Sequence, residues 1–262
     1  MKMKLNLLKA IFTVGLTIPV RYFLWLKRYS LSKDKYPIEL KYKKLRHLVS
    51  RIAYRLDFDT HVLGLENVPN ETCAFFSNHL AACDPLPIIS TLDAPMTFLA
   101  KTELENVPFA STAIKSIEGL FLKRDDLKQS LRTMMAIEAD LKEHRKNWLI
   151  FPEGTRNKDD RALLHEFHHG TFRPAMKAKV PLVPIAVFGT QRVFNDSIKL
   201  RKYPVQLIFG KPIYPSEYEN LSTQEVASLM QSKVQSMLTY IARKNDRAEM
   251  SKILGNKFKD NL

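Results

Sequence analysis

From residue 59 onward, short apolar runs alternate with longer stretches in which apolar residues recur every three or four positions. The runs THVLGLE (60–66), CAFFS (73–77), MTFLA (96–100), GLFLK (119–123), WLIFP (148–152), LVPIAVFG (182–189) and VQLIFG (205–210) have the length and side-chain type of strands. Helices are predicted near 85–92, 103–115, 126–144, 171–179 and 223–245; in the third, Leu127, Leu131, Met134, Met135, Ile137, Glu138 and Leu141 fall mostly on one face. Strands interleaved with helices predict an α/β fold with helices packed on a sheet. Upstream, LKYKKLRHLVSRIAYRL (40–56) spaces Leu45, Leu48, Val49, Ile52, Ala53 and Leu56 as an amphipathic helix. Its other face is expected to carry Lys41, Lys43, Lys44, Arg46, Arg51 and Arg55. The final KFKDNL is expected to fray.

Charge sharpens the picture of the N-terminal part. The 262-residue chain has a net charge of +14, and the first 60 residues hold 14 Lys and Arg against 4 Asp and Glu, so +10 of it is there. So local an excess suggests an anionic partner. No nucleic-acid-binding motif accompanies it and an apolar segment adjoins it, which points to acidic lipid rather than nucleic acid. In KAIFTVGLTIPVRYFLWLKR (9–28), Lys9 and Arg21 bracket only 11 uncharged residues. An untilted span needs about 20. No small-residue cleavage site follows, as a signal peptide would require. The segment is expected to lie in the interface, with Trp25 and Tyr22 at headgroup depth, a tilted span being the alternative. The expected placement is peripheral or monotopic, on the cytoplasmic face. Cys73 and Cys83 form no CxxC pair and read as reduced thiols.

Candidate chemistry gathers at the ends of two predicted strands. In FFSNHLAACDP (75–85), His79 precedes Asp84 by five positions, too far round a helix to share a face. A turn between them brings them together. Asp84-Pro85 reads as an N-cap and first-turn proline, so the carboxylate is expected to cap the helix with one oxygen and hold the imidazole with the other. An imidazole so held has a fixed tautomer and a more basic free nitrogen, which suits a general base. The second site is FPEGTR (151–156), where Pro152 and Gly154 bend the chain. Glu153 and Arg156 are expected side by side, the carboxylate orienting a hydroxyl or guanidinium and the arginine suited to a phosphate. HEFHH (165–169) matches a zinc motif, but Gly170 follows at once and no third ligand is apparent, so no metal is expected. Cys83 is expected to fill space rather than act as a nucleophile.

Taken together, NHxxxxD and FPEGTR resemble the glycerolipid acyltransferases, the lysophosphatidic acid acyltransferase group. GLFLKR (119–124) is similar to that family's second block and VPLVPIAV (180–187) to its fourth, with Pro184 in the family's proline position. Lys123 stands where an acidic or polar residue is common in the family. The likeness spans about residues 59–215. It implies a single central mixed sheet flanked by helices, as an acyltransferase domain at 58–250 between membrane-associated helices at 1–57 and a tail at 251–262. It implies a direct transfer from acyl-coenzyme A or acyl carrier protein to the hydroxyl of 1-acyl-sn-glycerol 3-phosphate, giving phosphatidic acid, with neither cofactor nor acyl-enzyme. His79 and Asp84 would be catalytic, and Arg124, Arg156 and Lys101 would clamp the phosphate with Glu153, Gly154 and Thr155. Asn78 and Pro184 would position acyl chain and acceptor. The expected partners are a lysophospholipid, the acyl donor and an anionic membrane surface. The alternatives are another lysophospholipid or glycerol 3-phosphate as acceptor, or a non-catalytic protein that binds anionic membranes.

Overall fold

All seven predicted runs are strands of one mixed sheet in a computed structural model of the chain, which describes residues 17–32, 35–123, 126–157, 164–195, 198 and 200–259. They are β1 Phe58–Leu63, β2 Ala74–Ser77, β3 Met96–Lys101, β4 Leu120–Leu122, β5 Asn147–Ile150, β6 Leu182–Phe188 and β7 Tyr203–Phe209, in spatial order β1-β7-β6-β2-β5-β3-β4. The five strands from β6 to β4 run parallel to one another. β7 is antiparallel to β6, and β1 pairs parallel with β7. This is the expected single mixed sheet.

The helices are α1 Thr17–Leu31, α2 Ile38–Arg55, α3 Pro85–Thr91, α4 Pro108–Ser116, α5 Leu127–Lys142, α6 Arg173–Ala178, α7 Pro215–Tyr218 and α8 Thr223–Lys259. Strand side chains alternate between two cores, because successive residues of a strand face opposite sides. Phe76, Trp148, Ile150, Leu182 and Ala186 meet residues of α5, α6 and α8 on one face. Phe75, Leu149, Val183, Ile185 and Val187 meet α1, α2 and α3 on the other.

Three expectations change. The helix predicted at 103–115 is a 3-10 turn, Thr102–Asn106, followed by α4. Pro108 holds the preceding Val107 extended, at φ −99° and ψ 101°, which breaks the helix there. The last helix does not stop near 245 but continues to Lys259, since no proline interrupts it. The basic face of α2 is smaller than predicted. Lys41 lies one turn before Leu45, on the core side, and is fully buried with its Nζ 2.7 Å from Glu118 Oε1. Arg46 pairs with Asp93 at 2.6 Å, and Lys44 lies over the Trp25 ring. With Leu26, Tyr42, Leu45, Leu48 and Val49 in the second core, α1 and α2 pack onto the sheet.

Glu118 ties that packing together. Its second oxygen takes Lys146 at 2.9 Å and Arg145 at 3.1 Å. Burial pushes its carboxyl up, but the hydrogen bonds and charges of Lys41 and Lys146 outweigh burial and hold it below its ordinary value. A carboxyl depressed on folding contributes stability that is complete above its unfolded pKa, about 4.3, and is lost as pH falls through the folded value. Glu118→Gln takes the shared carboxylate from Lys41 and Lys146, of which Lys146 keeps Asp140 at 2.8 Å, and is expected to cost about 3 kcal/mol at neutral pH. It should also flatten the fall in melting temperature below about pH 4.5. An acid limb identical to that of the unaltered protein would contradict this role.

Candidate active site

β2 has β5 on one side and β6 on the other, so the loops leaving these three strands converge where their carboxyl ends meet. His79 lies two residues beyond β2, Phe151–Arg156 follow β5, and Thr190 lies two residues beyond β6. Asn78 begins the assembly. Its amide accepts from the Val187 N–H at 2.8 Å and donates to the Val187 carbonyl at 2.9 Å, which continues the β2–β6 ladder through a side chain.

Beyond that clasp the chain turns and His79 Nδ1 lies 2.8 Å from Asp84 Oδ2. The carboxylate is fully buried, while the imidazole keeps 18% of its side-chain surface exposed. An ionised carboxylate accepts only, so the ring proton belongs on Nδ1 and the lone pair on Nε2. Nε2 has no hydrogen-bond partner among the described residues. Phe151 stacks on the imidazole with centroids 4.4 Å apart and planes 30° apart, fixing the ring's tilt and covering one face.

Asp84 departs from the predicted capping role. It accepts from no N–H of α3. Oδ2 instead accepts backward, from the Leu80 N–H at 2.6 Å and the Ala81 N–H at 2.8 Å, while Oδ1 accepts from the Thr190 hydroxyl. The turn from His79 to Asp84 thus closes on its own side chain as an Asx-type motif. Pro85 at the first helical position leaves one fewer α3 donor to cap.

The FPEGTR segment forms a tight turn in which the Gly154 N–H reaches the Phe151 carbonyl at 3.0 Å. Gly154 sits at φ +64°, a left-handed conformation that favours glycine. Glu153 is buried and, contrary to expectation, is spent on the backbone. Its two oxygens accept from the His79 N–H at 2.8 Å and the His165 N–H at 2.9 Å. Burial pushes this carboxyl above its ordinary value, and the two N–H groups pull it partly back. No carboxylate pairs with Arg156 among the described residues; it and Thr155 are exposed just past the turn. The Asn157 N–H returns to the His79 carbonyl at 2.7 Å, so the loops after β2 and β5 are joined at both ends of His79.

Lys101 ends β3 and is half-buried, paired in register with Leu122 of β4. Arg124 lies outside the described residues. Pro184 is a buried sheet residue opposite Phe76 rather than part of the loop cluster. Its carbonyl accepts from the Gly210 N–H at 2.8 Å, where the antiparallel ladder with β7 ends, so its missing N–H interrupts no pairing. Cys83 is buried beside Thr190, and burial pushes its thiol well above the ordinary range, which disfavours a nucleophilic thiolate. HEFHH does not lie on an α-helix, its last residue opening the 3-10 turn His169–Thr171, and the described residues hold no group of three His, Cys, Asp or Glu placed for a metal ion. No sequence motif marks Thr190 or Asn157, and Phe151 enters only as the first residue of FPEGTR. The signal for Thr190 was a glycine ending a strong strand in VFGT, the form of a sharp exit from a sheet.

The parallel strands of the mixed sheet thus bring a buried aspartate and a half-open histidine together at the sheet's carboxyl end. The profile of the Acyltransferase family matches residues 59–188. The chain is 29% identical over 215 residues to the probable 1-acyl-sn-glycerol-3-phosphate acyltransferase of Mycoplasma pneumoniae, covering 77% of this chain and 79% of that protein. It is 25% identical over 233 residues to the protein of the same name in Mycoplasma genitalium, covering 84% and 85%. Its fold resembles that of the 1-acyl-sn-glycerophosphate acyltransferase PlsC of Thermotoga maritima, with a TM-score of 0.70 at 22% identity over 92% of this chain and 98% of that one. The chain belongs to the acyltransferase family.

Proposed function

We propose that the protein transfers an acyl chain from acyl-coenzyme A or acyl carrier protein to the free hydroxyl of 1-acyl-sn-glycerol 3-phosphate, giving phosphatidic acid. The observation that carries this is the His79 Nδ1–Asp84 pair, which leaves Nε2 as an unengaged base. The names of the relatives support the acceptor.

A glycerol hydroxyl attacks poorly until its proton is taken. His79 Nε2 accepts that proton as the oxygen adds to the thioester carbonyl, and Asp84 stabilises the imidazolium that forms. When the tetrahedral centre collapses, the new C–O bond stays and the C–S bond breaks. The departing thiolate takes the proton from His79, which returns the base to its starting state. Arg156, with Lys101 and Arg124, is suited to hold the acceptor's phosphate while the hydroxyl meets Nε2. The Leu80 and Ala81 N–H groups are already committed to Asp84, so the oxyanion draws on other donors.

Both lipids reside in a bilayer, and the surface around α1 and α2 is suited to one. Val20, Leu24 and Leu31 are exposed on α1, and Lys43, Arg51 and Arg55 are exposed on α2. No helix among the described residues is long and apolar enough to cross a membrane. The proposed placement is therefore peripheral, on an anionic cytoplasmic leaflet. Replacing Val20 and Leu24 together with aspartate is expected to weaken sedimentation with anionic vesicles, most steeply at low salt, while leaving the melting temperature within a degree or two. Unchanged partitioning would refute the docking role.

The test of function is product analysis with purified protein, labelled acyl donor and competing acceptors. Phosphatidic acid formed in preference to products of glycerol 3-phosphate or of other lysolipids is expected. Vesicle binding with no acyl transfer from either donor would make the protein a membrane binder and overturn the proposal.

A further inference from the structure

We propose that Thr190 is a positioning residue for acyl transfer, the outer member of a Thr190–Asp84–His79 chain, placed there by the turn at Gly189. This rests on His79 acting as the base.

The donors to Asp84 are unevenly shared. Oδ2 receives His79 Nδ1 and the Leu80 and Ala81 N–H groups. Oδ1 receives the Thr190 hydroxyl alone among the described residues. Asp84 and Thr190 are both fully buried, so no solvent stands ready to replace that donor. A buried carboxylate oxygen with no donor is unfavourable. The group relieves this by turning about its Cβ–Cγ bond, and any such turn carries Oδ2 away from Nδ1. The imidazole then loses the partner that fixes its tautomer and stabilises its charged form. Thr190 never meets the substrate in this scheme; it acts by holding the group that holds the base.

The backbone around Thr190 is built for that one contact. β6 is locked to the His79 loop three residues earlier, where Val187 pairs with the Asn78 amide. Gly189 then turns the chain at φ +102°, and a Cβ there would collide with the Pro204 carbonyl oxygen. The Gly189 N–H is held by Gln191 Oε1 at 2.9 Å, and the Thr190 carbonyl accepts from the thiol of Cys83, the residue before Asp84. Position 190 is therefore fixed against both the base loop and the sheet. Were its role only to fill space, valine, which has the same shape, would serve equally well.

Serine and alanine at 190 both lack the methyl group and differ by the hydroxyl, so comparing them isolates the hydrogen bond. In purified full-length protein, Thr190→Ser is expected to keep most of kcat. Thr190→Ala and Thr190→Val should each lower kcat about tenfold or more, with KM for lysophosphatidic acid and for the acyl donor unchanged within about twofold. The ¹⁵N and ¹H resonances of the His79 ring, assigned by comparison with His79→Ala, are expected to move in the alanine variant and to return in the serine variant. Equal kcat for serine and alanine variants overturns the proposal. So does loss of folding in both Thr190→Ala and Thr190→Val, which would make the hydroxyl structural. If His79→Ala itself retains turnover, the reading of His79 as base falls instead, and the two failures are told apart by that one control.

Discussion

His79→Ala is expected to lower acyl transfer about a thousandfold while the protein stays folded and still binds vesicles. Among the described residues the ring makes one hydrogen bond, to Asp84, and one stacking contact, with Phe151. Its removal leaves Asp84 with three donors, two from the backbone and one from Thr190. The stability cost is therefore of the ordinary size for a partly exposed side chain, about 1 kcal/mol. Activity behaves differently, because among the described residues no neighbouring group substitutes for the imidazole. Cys83 is buried with its thiol pushed well up, and Glu153 is occupied by two N–H groups. Measuring product formation alongside a melting curve separates the two effects, and residual activity above a tenth of the original would contradict the base role.

The second large effect concerns Glu153, which works through the backbone rather than through substrate. Glu153→Ala leaves the His79 N–H without its acceptor and frees the loop at 165, at an expected cost of about 2 kcal/mol. The catalytic loss is larger in proportion, about a hundredfold, because displacing the base by about 1 Å spoils its approach to the hydroxyl. Glu153→Gln is the instructive comparison. It has one acceptor oxygen for two N–H donors, so it is expected to fall between alanine and glutamate in both stability and kcat. The same loss in kcat for Glu153→Gln and Glu153→Ala, with KM for the phosphate-bearing acceptor strongly raised, would instead favour a direct part for Glu153 in the phosphate site.

Much of this was legible before any coordinates. Strong apolar runs mark β2, β5 and β6 because these strands are buried throughout, while β1 and β4 at the sheet edges are only partly buried and carry shorter apolar signals. His79 and Asp84 could be paired because a helix cannot bring positions five apart together and a turn signal lay between them. What escaped notice depended on contacts distant in sequence or on backbone groups. Lys41 looked like a surface charge until Glu118, 77 residues away, supplied its partner. Thr190 lies 106 residues from Asp84 and carries no motif of its own. Glu153 reads from sequence as a partner for Arg156, because side chains are visible in a sequence and main-chain N–H groups are not. Asp84 shows the same limit. Its place before Pro85 is that of a helix cap, yet the preceding turn offered nearer N–H groups and an imidazole.

That His79 activates the acceptor for direct attack, with no acylated protein between donor and product, is tested most directly by incubating stoichiometric protein with labelled acyl donor before any acceptor is present. The protein is expected to remain unlabelled by mass spectrometry, and on adding lysophosphatidic acid the label should pass into phosphatidic acid. An acyl group covalently attached to the protein, and discharged to lipid when the acceptor arrives, would contradict the account.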